Sequence, residues 1–323
     1  MENKIQGRNS SIELLRMLCM LLIVAHHYAY HGQWLNAGTD AIYTVEHFSL
    51  NVFFIQIMSL WGRLAAAVFI IISGYYLIGS KKSVKNKCKS ILFLVLGYGI
   101  LGELLYLVVT STKISTFEIE TFVYSLFVDQ WFSVNYLVLL CVSPALIYCL
   151  STMPKELFDK LLVAVLIFWS LIPTISFGKI NYFSSDIDSF LICFCLGAYI
   201  KLYEGELTAY VRKKFRVGWD WIAWICVVFM IGSVVVFDIV GLLLGSDTLI
   251  RVATTFLQLN RVPAILLAVA LFESFKQKKY CSNMINRLSK STFAVYLLHE
   301  GRMRDVIWNH CFANSQYFES KLF

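Results

Sequence analysis

Apolar residues dominate the chain in blocks of about 15 to 25 residues, and short charged clusters separate these blocks. A membrane-spanning α-helix needs about 20 mostly apolar residues, so the pattern is typical of a helical membrane protein. We expect an all-α polytopic fold with nine to ten transmembrane helices. The predicted helices lie at about 12–30, 64–78, 90–110, 131–150, 161–177, 189–203, 219–244 and 262–275, with a ninth from Ser291.

The second apolar block, residues 48–78, is longer than one bilayer crossing. Trp61, Gly62 and Arg63 interrupt it. We interpret its first part as an interfacial or re-entrant piece, and we expect the spanning helix to begin near Leu64.

Basic residues are unevenly divided between the two sides of such a fold. Twenty lysines and arginines fall on the side of the N-terminus, against four on the other side up to the ninth helix. Cytoplasmic loops carry an excess of this kind, so we predict a cytoplasmic N-terminus. Contact with anionic lipid headgroups accounts for the net charge of +7, and we expect no nucleic-acid partner.

Composition agrees with a membrane location. The chain is 58% hydrophobic and 15% charged, whereas a soluble domain carries about a quarter charged residues. Its nine cysteines lie mostly in or beside apolar blocks and form no CxxC pair. We interpret them as small apolar residues, find no histidine–cysteine cluster with zinc spacing, and expect no metal site. The first helix has no small-residue cleavage site, so we expect it to be retained.

The first predicted helix carries the residues that point to chemistry. Arg16 and His27 are eleven positions apart, so they return to nearly the same face, separated by roughly 16 Å along the axis. Glu13 is an i,i+3 neighbour of Arg16 and can pair with it. His26 is rotated away, and we interpret it as structural. Ionisable groups along one side of a membrane helix indicate that this side faces a polar interior.

Four segments resemble the acyltransferase-3 family of integral membrane O-acyltransferases. Arg16, ten residues and then His27 resembles the signature of its first helix. Residues 69–75 (FIIISGY), 131–144 (WFSVNY to SP) and 291–300 (STFAVYLLHE) resemble later motifs in the same order. The resemblance implies a single membrane acyltransferase domain over residues 1–323.

The resemblance also implies the catalytic residues. His27 would act as the general base on an acceptor hydroxyl, Arg16 would bind or orient the acyl donor, and His299 would assist. From the residues alone, His27 equally suits an interfacial anchor, and Arg16 suits a cation that snorkels to the headgroups.

Five further residues are candidates for substrate binding. Glu13 would orient Arg16, and Glu300 adjoins His299 in the last motif. Arg63, Trp131 and Tyr136 would contact the acceptor, although membrane interfaces also use arginine and aromatic residues as anchors. Packing is the better explanation for Ser73–Gly74, and Glu103 has no evident partner in the sequence.

Two features depart from the family pattern. Lysines at 85, 87 and 89 stand where the family often has arginines, and they supply point charges rather than a bidentate fork. The family usually continues into one more spanning helix after the His299 motif. The sequence leaves two explanations open, a degenerate last helix or a truncated chain.

Together these features predict a bacterial cytoplasmic-membrane enzyme. It would move an acyl group, with acetyl expected, from cytosolic acyl-CoA to a hydroxyl of a cell-surface or lipid-linked glycan. The expected partners are acyl-CoA, the glycan, the bilayer and polysaccharide-synthesis machinery, and we expect no bound cofactor. The alternatives are a transporter or flippase for a lipid-linked sugar and a non-catalytic membrane scaffold.

Overall fold

A computed structural model describes residues 9–37, 42–80, 83–111, 118–183 and 185–312. Every regular element in these ranges is helical, as predicted. The α-helices are α1 (Ser10–Ala37), α2 (Leu50–Ser59), α3 (Trp61–Leu77), α4 (Val84–Val109), α5 (Ile119–Tyr124), α6 (Trp131–Thr152), α7 (Lys155–Leu166), α8 (Ile172–Ile175), α9 (Asp186–Leu202), α10 (Glu206–Phe215), α11 (Trp219–Leu244), α12 (Asp247–Val252), α13 (Val262–Gln277), α14 (Asn283–Leu288) and α15 (Thr292–His299). Short π or 3-10 segments occupy Ser125–Asp129, Ile167–Leu171, Thr255–Leu257, Ser289–Ser291, Gly301–Met303 and Val306–Phe312.

Seven segments of the described chain are long and apolar enough to cross a bilayer. They contain α1, α2 with α3, α4, α6, α7 with α8, α11, and α12 with α13. The predicted sixth helix is α9, whose 17 residues also run between the two ends of the bundle. The predicted ninth helix is the short α15.

The structure corrects the expected start of the second spanning helix. Helix α3 begins at Trp61 rather than near Leu64, and only Leu60 separates it from α2. Leu60 has helical backbone angles, so the expected interruption is a junction between two consecutive helices. Arg63 consequently lies in the first turn of α3.

The centre of the bundle is the pair α3 and α9. A Cβ added to Gly74 would lie 2.3 Å from the carbonyl oxygen of Phe194, and one added to Gly197 would lie 2.1 Å from that of Ile71. The two backbones therefore approach each other closely at both glycines, as in other small-residue helix contacts in membranes. The packing role expected for Ser73–Gly74 is confirmed at Gly74.

The segments predicted to share the N-terminal side meet at one end of the bundle. The start of α1 is bonded to the segment before α14, because Ser10 N–H donates to the carbonyl of Tyr280 at 3.0 Å. At the same end, Tyr75 donates to Glu204, and Thr208 donates to Glu273 at 3.1 Å. We call this the basic end, because the clusters of lysine and arginine come soon after these residues along the sequence. Its cytoplasmic location stays a prediction from the charge asymmetry.

Helix α14, the turn Ser289–Ser291 and α15 run beside α1 in the same direction. Near the basic end Ser10 Oγ donates to the carbonyl of Ser282 at 3.3 Å. Further along, His27 faces His299, and both pairs are 272 positions apart in the sequence. The two segments are therefore parallel and in register, and this arrangement brings the last sequence motif to the first helix.

Candidate active site

Two histidines of α1 converge on one carboxylate. His27 and His31 are four residues apart, so they project from the same face of the helix. His27 Nε2 lies 3.0 Å and His31 Nε2 lies 2.9 Å from Oε1 of Glu300. The side chains of His27 and Glu300 are 7% and 2% exposed, so the cluster is screened from bulk solvent.

The other ring nitrogen of His27 is held by His299. His27 Nδ1 lies 2.8 Å from His299 Nε2, and His299 Nδ1 lies 2.5 Å from the carbonyl oxygen of Val295. A carbonyl only accepts hydrogen bonds, so His299 Nδ1 carries a proton. In the neutral tautomer, His299 Nε2 then accepts, and His27 Nδ1 must donate to it.

This chain of hydrogen bonds determines whether a proton lies between His27 and Glu300. Because His27 Nδ1 carries a proton, a neutral His27 would point a lone pair at the carboxylate. One additional proton is therefore needed between His27 Nε2 and Glu300 Oε1. Whether it resides on the imidazole or on the carboxyl, the pair has no net charge.

Residues after His299 hold Glu300 in place. Arg302 Nε lies 3.3 Å from a carboxylate oxygen of Glu103, and its guanidinium lies 4.0 Å from the ring centre of Tyr106. Arg304 donates to Asp129 at 3.0 Å. Burial raises the pKa of the Asp129 carboxyl, and the Arg304 guanidinium acts in the opposite direction. Ionic contacts of three alternate residues, Glu300, Arg302 and Arg304, thus bind this segment to α1, to α4 and to the π segment before α6.

Sequence reasoning missed several of these residues. Glu103 has a partner, Arg302, which lies 199 positions away and so could not be paired with it from the sequence. Gln130, whose side-chain amide donates to the carbonyl of Leu297 at 3.1 Å, carried no signal either. His31 did carry a signal in the sequence, because the spacing His-x3-His places two imidazoles on one face of a helix. The expectation that no histidine cluster has zinc spacing overlooked that pair.

Arg16 and Glu13 pair with each other, as expected, but away from His27. Arg16 donates to Glu13 at 2.9 Å, and the Glu13 side chain is buried while Arg16 is partly exposed. Eleven residues of α1 separate Arg16 from His27, which corresponds to roughly 16 Å. The structure therefore places the pair near the basic end, and His27 nearer the opposite end.

Arg63 and Trp131 lie together at the end opposite the basic end. The Arg63 guanidinium stands 5.6 Å from the ring centre of Trp131 and donates to Asp186 at 2.8 Å. Half of the Arg63 side chain is exposed. The sequence predicted both residues as contacts of the acceptor. It did not predict Asp186, the first residue of α9, whose carboxylate orients the arginine.

Tyr136 is separate from the histidine cluster. Its hydroxyl is 3.0 Å from Ser73 Oγ, its ring stacks on Phe132 with centres 6.1 Å apart, and Lys87 Nζ stands 5.4 Å from its ring centre. Phe132 in turn contacts Tyr296, with ring centres 5.6 Å apart. Tyr136 therefore connects a lysine near the basic end with residues next to His27.

His26 has the structural environment expected for it. Its Nδ1 lies 2.7 Å from the carbonyl oxygen of Ser59, where α2 ends. The ring also covers Gly62, since a Cβ added there would lie 2.3 Å from it. His26 thus packs α1 against the junction of α2 and α3.

The fold and this buried cluster define a multi-pass helical membrane protein with a paired histidine–carboxylate site. Comparison with protein families then identifies the group: residues 9–310 match the model of the acyltransferase-3 family, described as an acyltransferase domain. The chain belongs to this family, and it is a membrane acyltransferase. Searches of the curated proteins and of the solved structures found no match.

Proposed function

We propose that this membrane acyltransferase transfers an acetyl group from cytosolic acetyl-CoA to a hydroxyl of a cell-surface or lipid-linked glycan. The observation that carries the proposal is the position of His27, buried between Glu300 and His299 in the helix that also carries Arg16. A buried imidazole backed by a carboxylate is the arrangement that general-base catalysis uses. We further propose the bacterial cytoplasmic membrane as its location and polysaccharide-synthesis machinery as its partner.

His27 has two ring nitrogens, and both have partners within 3.0 Å. A hydroxyl can therefore reach His27 only by replacing one of them. Glu300 is the partner that a base retains, because its negative charge stabilises the imidazolium formed during the reaction. We infer that the hydroxyl takes the place of His299 at Nδ1, after the proton on Nδ1 has left and while the proton between His27 Nε2 and Glu300 is retained.

The chemical step then follows from these positions. His27 Nδ1 takes the hydroxyl proton while the oxygen attacks the thioester carbonyl carbon. The carbon–sulfur bond breaks as the new ester forms. CoA leaves as a thiolate, and His27 keeps the proton that it took from the hydroxyl. Atoms and charges balance without a further reactant.

The donor has to bridge the distance between the basic end and His27. We propose that Arg16 contacts a phosphate of CoA and that the pantetheine arm follows the aromatic path, which we define as Tyr136, Phe132 and Tyr296. Lys87 stands at one end of this path, and at the other end the rings of Tyr296 and His27 are 6.4 Å apart. A continuous row of contacts thus supports direct delivery of the acyl group rather than a relay.

The acceptor approaches from the opposite end in this proposal. Arg63 and Trp131 form a cation–aromatic surface there, and Asp186 adds a carboxylate acceptor for hydrogen bonds. Aromatic faces and polar side chains together suit a sugar ring with its hydroxyls. The glycan would therefore meet the donor at His27 from the side away from acyl-CoA.

The test is the O-acetyl content of purified surface polysaccharide, measured by proton NMR. A deletion strain is complemented with the wild type, His27→Ala or the matched control His26→Ala. We expect His27→Ala to lose O-acetylation while remaining in the membrane, and His26→Ala to retain it. Wild-type acetylation in the His27→Ala strain excludes His27 as the base. Unchanged acetylation with reduced polysaccharide export in the deletion strain favours the transporter alternative.

A further inference from the structure

The cluster around Glu300 has the composition of a transition-metal site. Its ligand atoms, His27 Nε2, His31 Nε2 and a Glu300 oxygen, all lie within 4.8 Å of one another. Two histidines and one glutamate are the protein ligands of several zinc sites that keep a fourth position open. The two histidines come from one face of α1, and the glutamate comes from the segment that α15 brings alongside.

The two nitrogen–oxygen distances are close to those between the ligands of a bound ion. The two nitrogens are 3.0 and 2.9 Å from Glu300 Oε1. Tetrahedral ligands with zinc bonds of about 2.0–2.1 Å are about 3.4 Å apart. Small side-chain movements therefore bring each nitrogen–oxygen distance to this value, and the two nitrogens, which lie within 4.8 Å of each other, have to approach it as well.

The second independent observation is the hydrogen-bond chain behind His27. Histidines that bind metals usually donate their other ring N–H to a fixed acceptor. His27 Nδ1 already donates to His299, which is itself fixed by the carbonyl of Val295. This chain directs Nε2 of His27, and not Nδ1, towards Glu300, which is the orientation that a metal ligand needs.

We propose that His27, His31 and Glu300 bind one divalent ion of the zinc type, and that this ion reversibly inhibits acyl transfer. The inhibition rests on the function proposed above, whereas the binding does not. Two imidazole ligands select zinc and related transition metals over magnesium or calcium, which prefer oxygen ligands. With Nε2 on the metal and a proton on Nδ1, His27 has no lone pair left to act as a base.

The ion reaches this site past His31. The His31 side chain is 11% exposed, more than His27 or Glu300. His31 lies 21 residues after the start of α1, about 32 Å along its axis, which is close to the thickness of the hydrocarbon core. His31 therefore lies near the end opposite the basic end, the side predicted to face outwards.

Binding is tested on the full chain, purified in detergent without a histidine tag and freed of metal with a chelator. Calorimetric titration with zinc is expected to give one ion per chain. Magnesium is expected to give no binding. His31→Ala removes a ligand and should weaken zinc binding by more than the roughly 10- to 100-fold that loss of an outer-shell partner costs, whereas the control His47→Ala, which changes an exposed histidine, should not weaken it.

The absence of zinc binding overturns the proposal, as does binding that survives both His31→Ala and Glu300→Gln. Inhibition is tested separately, by acetyl-transfer assays with zinc and then with an added chelator. Zinc should reduce the rate of the wild type reversibly, and a rate that zinc raises or leaves unchanged overturns the inhibitory role. Zinc binding by a chain that transfers no acyl group supports the metal site and contradicts the proposed reaction.

Discussion

His27 and His299 face each other at 2.8 Å although 272 residues separate them in the sequence. The same separation joins Ser10 to Ser282 at the basic end. Because α1 and the segment from α14 to α15 remain in register between these two contacts, the positions of the histidines are set by helix packing along their whole length. Both contacts of His27 therefore depend on this parallel pairing.

The two partners of His27 should differ in their importance for activity. Glu300→Gln keeps the size of the side chain but removes the charge that stabilises the imidazolium, so we expect kcat/KM to fall about 100-fold or more. His299→Ala removes only the contact that the hydroxyl replaces, and we expect a loss below about tenfold. Steady-state acetyl transfer in detergent measures both. A larger loss for His299→Ala than for Glu300→Gln would contradict the proposal that the hydroxyl replaces His299 at His27.

Lys87 should act on the donor and not on the chemical step. Its ammonium stands at the start of the aromatic path, 5.4 Å from the ring centre of Tyr136. We expect Lys87→Ala to raise KM for acetyl-CoA several-fold with kcat nearly unchanged. Lys160→Ala, on the exposed surface of α7, is the matched control. An equal fall in kcat for both variants would argue against a donor route past Lys87.

The contact between Arg302 and Glu103 should contribute to stability. Glu103 is 8% exposed and Arg302 is 29% exposed, so loss of the arginine should cost less than the about 3–5 kcal/mol of a fully buried pair but leaves a buried carboxylate without its cation. Arg302→Ala should therefore lower the unfolding temperature in detergent markedly. Lys278→Ala breaks an exposed pair with Asp220, where about 0–1 kcal/mol is expected. Equal unfolding temperatures for the two variants would contradict this account.

The close packing of α3 on α9 should make Gly197 intolerant of larger side chains. An added Cβ would lie 2.1 Å from a backbone oxygen of α3, which cannot move without separating the helices. We expect Gly197→Val to abolish the folded fraction seen by fluorescence-detected size-exclusion chromatography. In the control Gly232→Val, on α11, an added Cβ would have no contact within 4 Å. This variant should elute as the wild type does. A monodisperse Gly197→Val peak would refute the packing described.

The sequence predicted the helices well, because a run of apolar residues long enough for a bilayer has few alternatives to a helix. The ends were less certain: the interruption at residues 61–63 belongs to the first turn of α3, since tryptophan, glycine and arginine are all compatible with a helix start. Motifs identified His27 and His299 separately. That they touch depends on the parallel packing of two segments at opposite ends of the chain, which no local pattern records.

The substrate-binding predictions illustrate the same limit. Arg63 and Trp131 were both singled out and do lie together, but the Asp186 carboxylate that completes the group comes from another helix. Tyr136 stays a prediction as an acceptor-binding residue, and the structure adds its hydrogen bond to Ser73, which the sequence did not indicate. Aromatic residues at helix ends have the same pattern whether they anchor the helix or line a path, so spacing alone does not separate these roles.

The parallel pairing of α1 with α15 also orders events during synthesis. Helix α1 leaves the ribosome before α15, so its two histidines are made before the glutamate that they contact. At about 5–20 residues per second, the 272 residues between His27 and His299 take roughly 15 to 55 s to translate. Until then the polar face of α1 lacks its carboxylate partner, and we expect the enzyme to be inactive until Glu300 is in place.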